Sequence, residues 1–221
     1  MDVNLAVRKR KSVRKFMEEP VPRHLIENVL DAARWAPSGG NCQPWRVEVV
    51  TGDALKRISR NILSAREKGM KPEPDFDYYP ESWVSPYRER RFQCGIALYT
   101  ALGIKRGDNR ERLKVWLENY RFFGAPVGLF FFLPRALGTG FLMDMGIFIQ
   151  SVALLATEQG LSTCIQASLA EYPDIVRSLL NVPEDFSLAC GMSLGYEDEG
   201  AGVNRFRTQR VLLEEFVTWH E

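Results

Sequence analysis

Histidine is scarce in this chain. Only His24 and His220 occur among 221 residues, which argues against His-based triads and most catalytic metal sites, and no metal is expected. His24 lies just after Pro22, near a helix start, and His220 is penultimate; both read as surface residues. Cysteine is also sparse. Cys42, Cys94, Cys164 and Cys190 form no CxxC pair, so a zinc site or a thioredoxin-like centre is a poor reading. All four read as small buried hydrophobes in a reducing compartment. A glycine-rich phosphate loop is missing: Gly138-Thr139-Gly140 opens like GxG, but Met143 stands where the third glycine belongs. An excess charge of one sign is missing too. The net charge of +1 gives no field that would draw the chain to nucleic acid or to an anionic membrane. Apolar runs such as 126–134 fall far short of the roughly 20 residues that span a bilayer. The N-terminus carries Asp2 and no apolar core, so it does not read as a secretory signal. Together these absences predict a cytoplasmic protein with no nucleic-acid and no membrane partner. Any chemistry would then be carried by a cofactor rather than by catalytic side chains.

What is present is an ordinary globular composition, 45% hydrophobic and 26% charged, enough for a single domain over 1–221. Residues 3–10 can form a short helix. A clearer one opens at Pro22, carries Leu25, Ile26, Val29, Leu30 and Ala33 on one face, and is stopped by Pro37. Alternation over 45–50 reads as a strand, and Asp53 can cap the helix that follows. Residues 69–88 hold four prolines, three tyrosines and a tryptophan, an excursion of the kind that often forms a lid. Helices are expected over 87–104, 109–120 and 172–180, and strands over 162–166 and 187–194. Residues 127–133 are apolar throughout and read as a buried strand; 141–159 is a strongly apolar helix closed by Gly160. A C-terminal arm follows over 197–221. This order lacks regular βαβ alternation and predicts an α+β fold, a central mixed sheet flanked by helices.

Three segments can carry chemistry. Six of the eight residues 8–15 are basic, around Ser12, a composition that suits a phosphate as well as it suits a solvated helix end. The segment Pro37-Ser38-Gly39-Gly40-Asn41-Cys42-Gln43-Pro44-Trp45 offers glycines for close approach and amides for hydrogen bonding. Asn204-Arg205-Phe206-Arg207-Thr208-Gln209-Arg210 adds three more arginines.

Taken together, Arg10-Lys11-Ser12-Val13-Arg14, the intervening helix and the Pro37–Trp45 stretch resemble the nitroreductase family of FMN proteins, over about residues 6–218. Tyr78-Tyr79-Pro80 with Trp83, Pro86 and Tyr87, and the closing Asn204–Thr208 stretch, look like the branch that includes nitrobenzoate reductases. The resemblance implies an intertwined homodimer and an NAD(P)H-dependent enzyme using NADH or NADPH. It would reduce nitroaromatic or quinone-like acceptors by ping-pong hydride transfer, with no catalytic side chain. It implies that Arg10, Lys11, Ser12 and Arg14 hold the FMN phosphate and ribityl chain, completed by Arg207 with Arg205 or Arg210. Pro37, Ser38 and Asn41 would come from the other subunit, and Gln166, Ala167 and Ser168 would pass over the flavin. Tyr79, Trp83 and Tyr87 are candidates for stacking on a small aromatic substrate. A reductive dehalogenase on the same fold is the alternative within flavoenzymes. A nucleic-acid module using 8–15 is the reading from another class.

Overall fold

The computed structural model describes all residues, 1–221. Four strands form one sheet in the order β1-β2-β4-β3, from β1 (Arg46–Thr51), β2 (Val127–Pro134), β3 (Ser162–Gln166) and β4 (Phe186–Gly195). The two most apolar strands, β2 and β4, take the two central places, where both faces are covered. All three ladders are antiparallel. The one parallel pairing is an isolated bridge from Ser12 to Thr163, so the mixed character expected of the sheet is confined to the basic N-terminal segment lying beside β3.

Side chains alternate across the sheet as the strand period requires. Phe130 and Phe132 enter one core, with Ile58 and Ile62 of α3 (Gly52–Glu67) and Val176 of α7 (Pro173–Leu180). Leu129, Phe131 and Leu133 enter the other, with Ile26 and Val29 of α2 (Arg23–Ala33) and Phe148 and Val152 of α6 (Phe141–Glu158). The register breaks once: Phe131 pairs with Cys190 and Phe132 with Leu188, which leaves Ala189 as the extra residue of a β-bulge. Bulges are common beside active sites, where they re-aim a strand. Gly191 follows two residues later, and a Cβ there would lie 2.6 Å from Leu169, so the turn at Ala167–Ala170 can press directly against β4.

Several local expectations are corrected. The N-cap of α3 is Thr51; Asp53 lies inside the first turn and favours the helix through its charge rather than as a cap. The helix α5 (Asn109–Leu117) gives way to a 3-10 segment, Glu118–Gly124, in which Phe122 and Phe123 take left-handed backbone (φ 54° for each) and turn into the core. Cys164 and Cys190 are buried as expected, but Cys42 and Cys94 are exposed. By length and composition α6 is long and apolar enough to cross a membrane, unlike the shorter 126–134 run. Its Met145, Phe148, Ile149, Val152, Ala153 and Ala156 nevertheless belong to the core of this domain. His24 and His220 are exposed, and no cluster of metal-ligating side chains exists.

Candidate active site

The basic cluster does not form one solvated face. Arg10, Lys11, Ser12 and Arg14 are all half-buried, while Arg8, Lys9 and Lys15 are exposed. The half-buried set lines a cavity of about 170 Å³ together with Cys94, Phe206, Arg207, Thr208 and Arg210. Two ends of the chain therefore meet here, and Asn204 of the short helix α8 (Gly202–Arg205) joins them. Asn204 is 2% exposed. Its Oδ1 accepts from the Arg14 N–H (2.8 Å), and its Nδ2 donates to the carbonyls of Lys15 (2.8 Å) and Asp198 (2.9 Å). A buried amide with every group satisfied fixes the register of both segments.

The cations differ in what they have left to offer. Lys11 pairs with Glu197 at 2.6 Å and donates to the Asn204 carbonyl at 2.7 Å. Arg207 donates to the Lys9 carbonyl (2.9 Å), the Arg10 carbonyl (3.1 Å) and the Arg8 carbonyl. It thus satisfies the free carbonyl end of α1 (Val3–Lys9), a favourable place for a cation. Arg210 is turned onto Thr208 and Gln209. Arg205 lines no part of the cavity and donates to the Gly200 carbonyl at 3.1 Å. The Arg10 guanidinium has no hydrogen-bonded partner, and that of Arg14 has one long bond, to the Ser12 carbonyl at 3.3 Å. Burial, and repulsion from Arg210 and Arg207, hold the Arg10 guanidinium below its ordinary range. Unneutralised cations around a small cavity are a donor set for a dianion such as a phosphate.

Arg14 also lines a second, larger cleft of about 640 Å³, a usual volume for a cofactor or drug-sized ligand. One wall is Cys164-Ile165-Gln166-Ala167-Ser168 with the bulged Ala189. The opposite wall comes from the 69–88 excursion through Pro72, Pro74, Phe76 and Tyr79. The buried Gln166 side chain is fully occupied: it donates to the Asn119 carbonyl (2.9 Å) and accepts from Ser193 Oγ (2.5 Å). Gln166 can therefore meet a ligand only through its backbone. Ser168 Oγ is buried without any partner, an orphaned polar group beside the cleft that a bound ligand would satisfy. The residues present therefore fit a phosphorylated aromatic cofactor, with its phosphate near Arg10 and its ring in the cleft.

Among the aromatic candidates, Tyr79 lines the cleft, Trp83 packs behind it (ring centroids 5.6 Å), and Arg91 lies over both rings. Tyr87 is exposed and lines neither cavity. Pro37, Ser38 and Asn41 also line neither; their loop is held over α6 by the Gly39 N–H to Asp144 Oδ2 bond, 2.9 Å. A recess of about 820 Å³ opens between α2 and β1, but none of the motif residues reaches it, so volume alone does not locate the chemistry.

Sequence reasoning missed Arg66, Trp116, Asn119 and Glu171, which the fold brings to the cleft from four separate segments. Arg66 lies over Trp116 at 3.8 Å and donates to Tyr120 Oη at 3.4 Å. Tyr120 in turn donates to Glu171 Oε2 at 2.7 Å. Burial raises the Glu171 carboxyl, with Tyr120 and Arg66 pulling it back down. Burial and Glu171 keep the Tyr120 hydroxyl protonated far above its ordinary range. Cys164 is no nucleophile: burial pushes its thiol up to about 11 against the pull of Arg14, Ser12 and Arg10.

The nitroreductase family model matches residues 7–196. A 4-nitrobenzoate reductase from Pseudomonas putida is 36% identical over 216 residues, which covers 98% of this chain and 94% of that protein. The crystal structure of an FMN- and NADPH-dependent nitroreductase, NfnB from Sphigopyxis sp. strain HMH, superposes with a TM-score of 0.97 at 40% identity over 100% of both chains. The FMN-dependent NfnB from Mycobacterium smegmatis, solved in complex with NADPH, gives a TM-score of 0.93 at 35% identity over 100% of both chains. The match runs through the N-terminal basic segment, the Pro37–Trp45 stretch and the sheet alike, and the chain belongs to the nitroreductase family.

Proposed function

We propose that this protein is an FMN-dependent NAD(P)H oxidoreductase that reduces nitroaromatic acceptors, nitrobenzoate-like ones among them. The observation that carries this reading is the junction at Arg14, where an unneutralised arginine cavity opens into an aromatic-walled cleft. Arg10 and Arg14 would grip the phosphate, Ser12 would add a hydroxyl, and Lys11, Arg207 and Arg210 would supply positive potential while bracing the segment. When bound, FMN supplies the two-electron carrier between the nicotinamide and the acceptor. The backbone at Gln166, Ala167 and Ser168 would hold the ring edge, and Tyr79, backed by Trp83, would stack on the aromatic acceptor. Arg205 and Tyr87 would act only after a rearrangement of the arm and the α4 helix (Tyr87–Ala101).

The same reading includes a homodimer, with Pro37, Ser38 and Asn41 of the partner subunit completing the ring site. Exposed apolar residues on α6 (Met143, Ile147) and on the 197–221 arm (Leu212, Leu213, Phe216, Trp219) support it, because a second copy would cover them. The exposed free thiols of Cys42 and Cys94 suit the reducing cytoplasm, where NAD(P)H is supplied. Because one cleft must serve nicotinamide and acceptor in turn, initial rates at several fixed 4-nitrobenzoate concentrations should give parallel double-reciprocal lines against NADPH. Intersecting lines would mean that both bind together and would remove the shared-cleft mechanism.

A further inference from the structure

Glu171 occupies an unusual place. It lines the 640 Å³ cleft, and it also lines an outer pocket of about 270 Å³ bounded by Met70, Lys71, Glu73, Tyr172 and Asp174. No other residue lines both. Its backbone is fixed, because its carbonyl accepts from the Glu73 N–H at 3.0 Å. Its Oε2 is fixed by Tyr120, and its Oε1 makes no hydrogen bond within the protein.

The proposed reaction has a use for such a residue. Reducing a nitro group to a nitroso group breaks one N–O bond and releases that oxygen as water. Per two electrons it takes one hydride, from NAD(P)H through the cofactor, and one proton. The hydride has a carrier, but the proton needs a route into a cleft walled by Pro72, Pro74, Phe76 and Tyr79. We infer that Glu171 is the proton port of this cleft: its carboxyl gives a proton inward, to the departing nitro oxygen or to water beside it, and regains one from solvent in the outer pocket. This inference rests on the function proposed above.

The groups facing Glu171 set its proton affinity. Arg66 of α3 and the Tyr120 hydroxyl favour the carboxylate, and burial favours the acid. Lys71, Glu73 and Asp174 surround the outer mouth; Arg14, Asp77 and Tyr79 face it across the cleft. Burial therefore retains a proton on Glu171 to a higher pH than on an exposed carboxyl, the direction that favours a donor. Tyr120 is fully buried and lines neither pocket, so it has no access of its own to solvent or to the cleft.

The test uses E171Q, whose amide oxygen can still accept from Tyr120, and Y120F, which leaves Glu171 in place. E171Q should bind FMN and be bleached by NADPH within about twofold of the wild-type rate. Its anaerobic reoxidation by 4-nitrobenzoate should slow about a hundredfold, the lower end of what a general acid contributes, and lose its pH dependence. A readout free of turnover comes from FMN-free protein labelled with carboxyl-13C glutamate. One resonance, absent in E171Q, should titrate above the ordinary value of about 4.3. It should titrate higher still in Y120F, because the hydroxyl no longer favours the ionised form. E171Q reoxidising at the wild-type rate, or a missing resonance that titrates at or below the ordinary value, would overturn the port. Wild-type protein that binds FMN yet is never reoxidised by 4-nitrobenzoate would overturn the parent reading and the port together, before any variant is made.

Discussion

Arg10→Ala protein should purify nearly colourless. Arg10 is the one clamp cation with no partner inside the chain, so its donors are free for a phosphate. Charge-assisted hydrogen bonds contribute about 1.5–3 kcal/mol each, so FMN affinity should fall about ten- to a hundredfold. The FMN-free protein should melt no lower than wild type, because removing Arg10 also relieves its repulsion with Arg207 and Arg210. That pairing of effects separates a binding residue from a structural one. Lys11→Ala should show the opposite balance. Its charge is already matched by Glu197, and its loss releases the Asn204 junction. Titrating FMN-free protein with FMN by fluorescence quenching, beside a melting curve, checks both. An Arg10→Ala variant that keeps its FMN through purification and dialysis would place the phosphate elsewhere.

Asp75→Asn should be the most destabilising conservative change in the chain. Asp75 sits at the base of the 69–88 excursion with its side chain only 6% exposed. It accepts from Arg177 (2.5 Å), from Arg135 (2.6 Å) and from the Leu188 N–H (2.8 Å). Arg177 is also buried, at 8% side-chain exposure, and its second partner, Asp174, is 86% exposed. Removing the Asp75 charge leaves the buried Arg177 guanidinium with only the exposed Asp174 carboxylate and the Phe186 carbonyl, a change that costs about 3–5 kcal/mol. For a domain of this size that is a fall of roughly 6–20 °C in Tm. The excursion forms one wall of the cleft, so limited proteolysis should cut the variant within 69–86 well before wild type.

The pH dependence has a definite sign. Burial alone would raise the Asp75 carboxyl, but the bonds from Arg177, Leu188 and Arg135 outweigh it and hold the carboxyl below its ordinary range. A depressed acid contributes stability that is present above its unfolded value, about 3.9, and lost as pH falls through the lower folded one. Wild-type Tm should therefore lose this contribution below about pH 4, where the difference from Asp75→Asn should narrow. A constant difference down to pH 2 would show that the Asp75 charge is not what holds the excursion.

The layout of the fold was legible because it rests on local periodicity. The apolar runs of β2 and β4, the faces of α2 and α3, and the stops at Pro37 and Gly160 are each written within a dozen residues. The basic cavity proposed to hold the phosphate was legible only in part: its arginines sit in two short segments, each of which alone suits a solvated end as well as an anion, and only the fold brings the two together. What stayed hidden depends on three-dimensional pairing. Arg66, Trp116, Tyr120 and Glu171 each look like an ordinary helix or turn residue, and nothing local says that they converge. Asp75 reads as one more acid in a proline-rich loop until Arg177 and Arg135 arrive from residues far along the chain. Arg207 reads as a phosphate ligand, whereas much of its guanidinium is engaged by the open end of α1. The bulge at Ala189, which lines the cleft, leaves no mark in the sequence of β4.

The most direct measurement is the visible spectrum of the purified wild-type protein, followed without oxygen through one addition of NADPH and one of 4-nitrobenzoate. An FMN nitroreductase shows the twin flavin bands, loses them to stoichiometric NADPH, and regains them when the nitroaromatic is added. A colourless protein that takes up no FMN, or flavin bands that NADPH and NADH both leave untouched, would contradict the reading of the Arg10–Arg14 cavity and its cleft as a flavin reductase site.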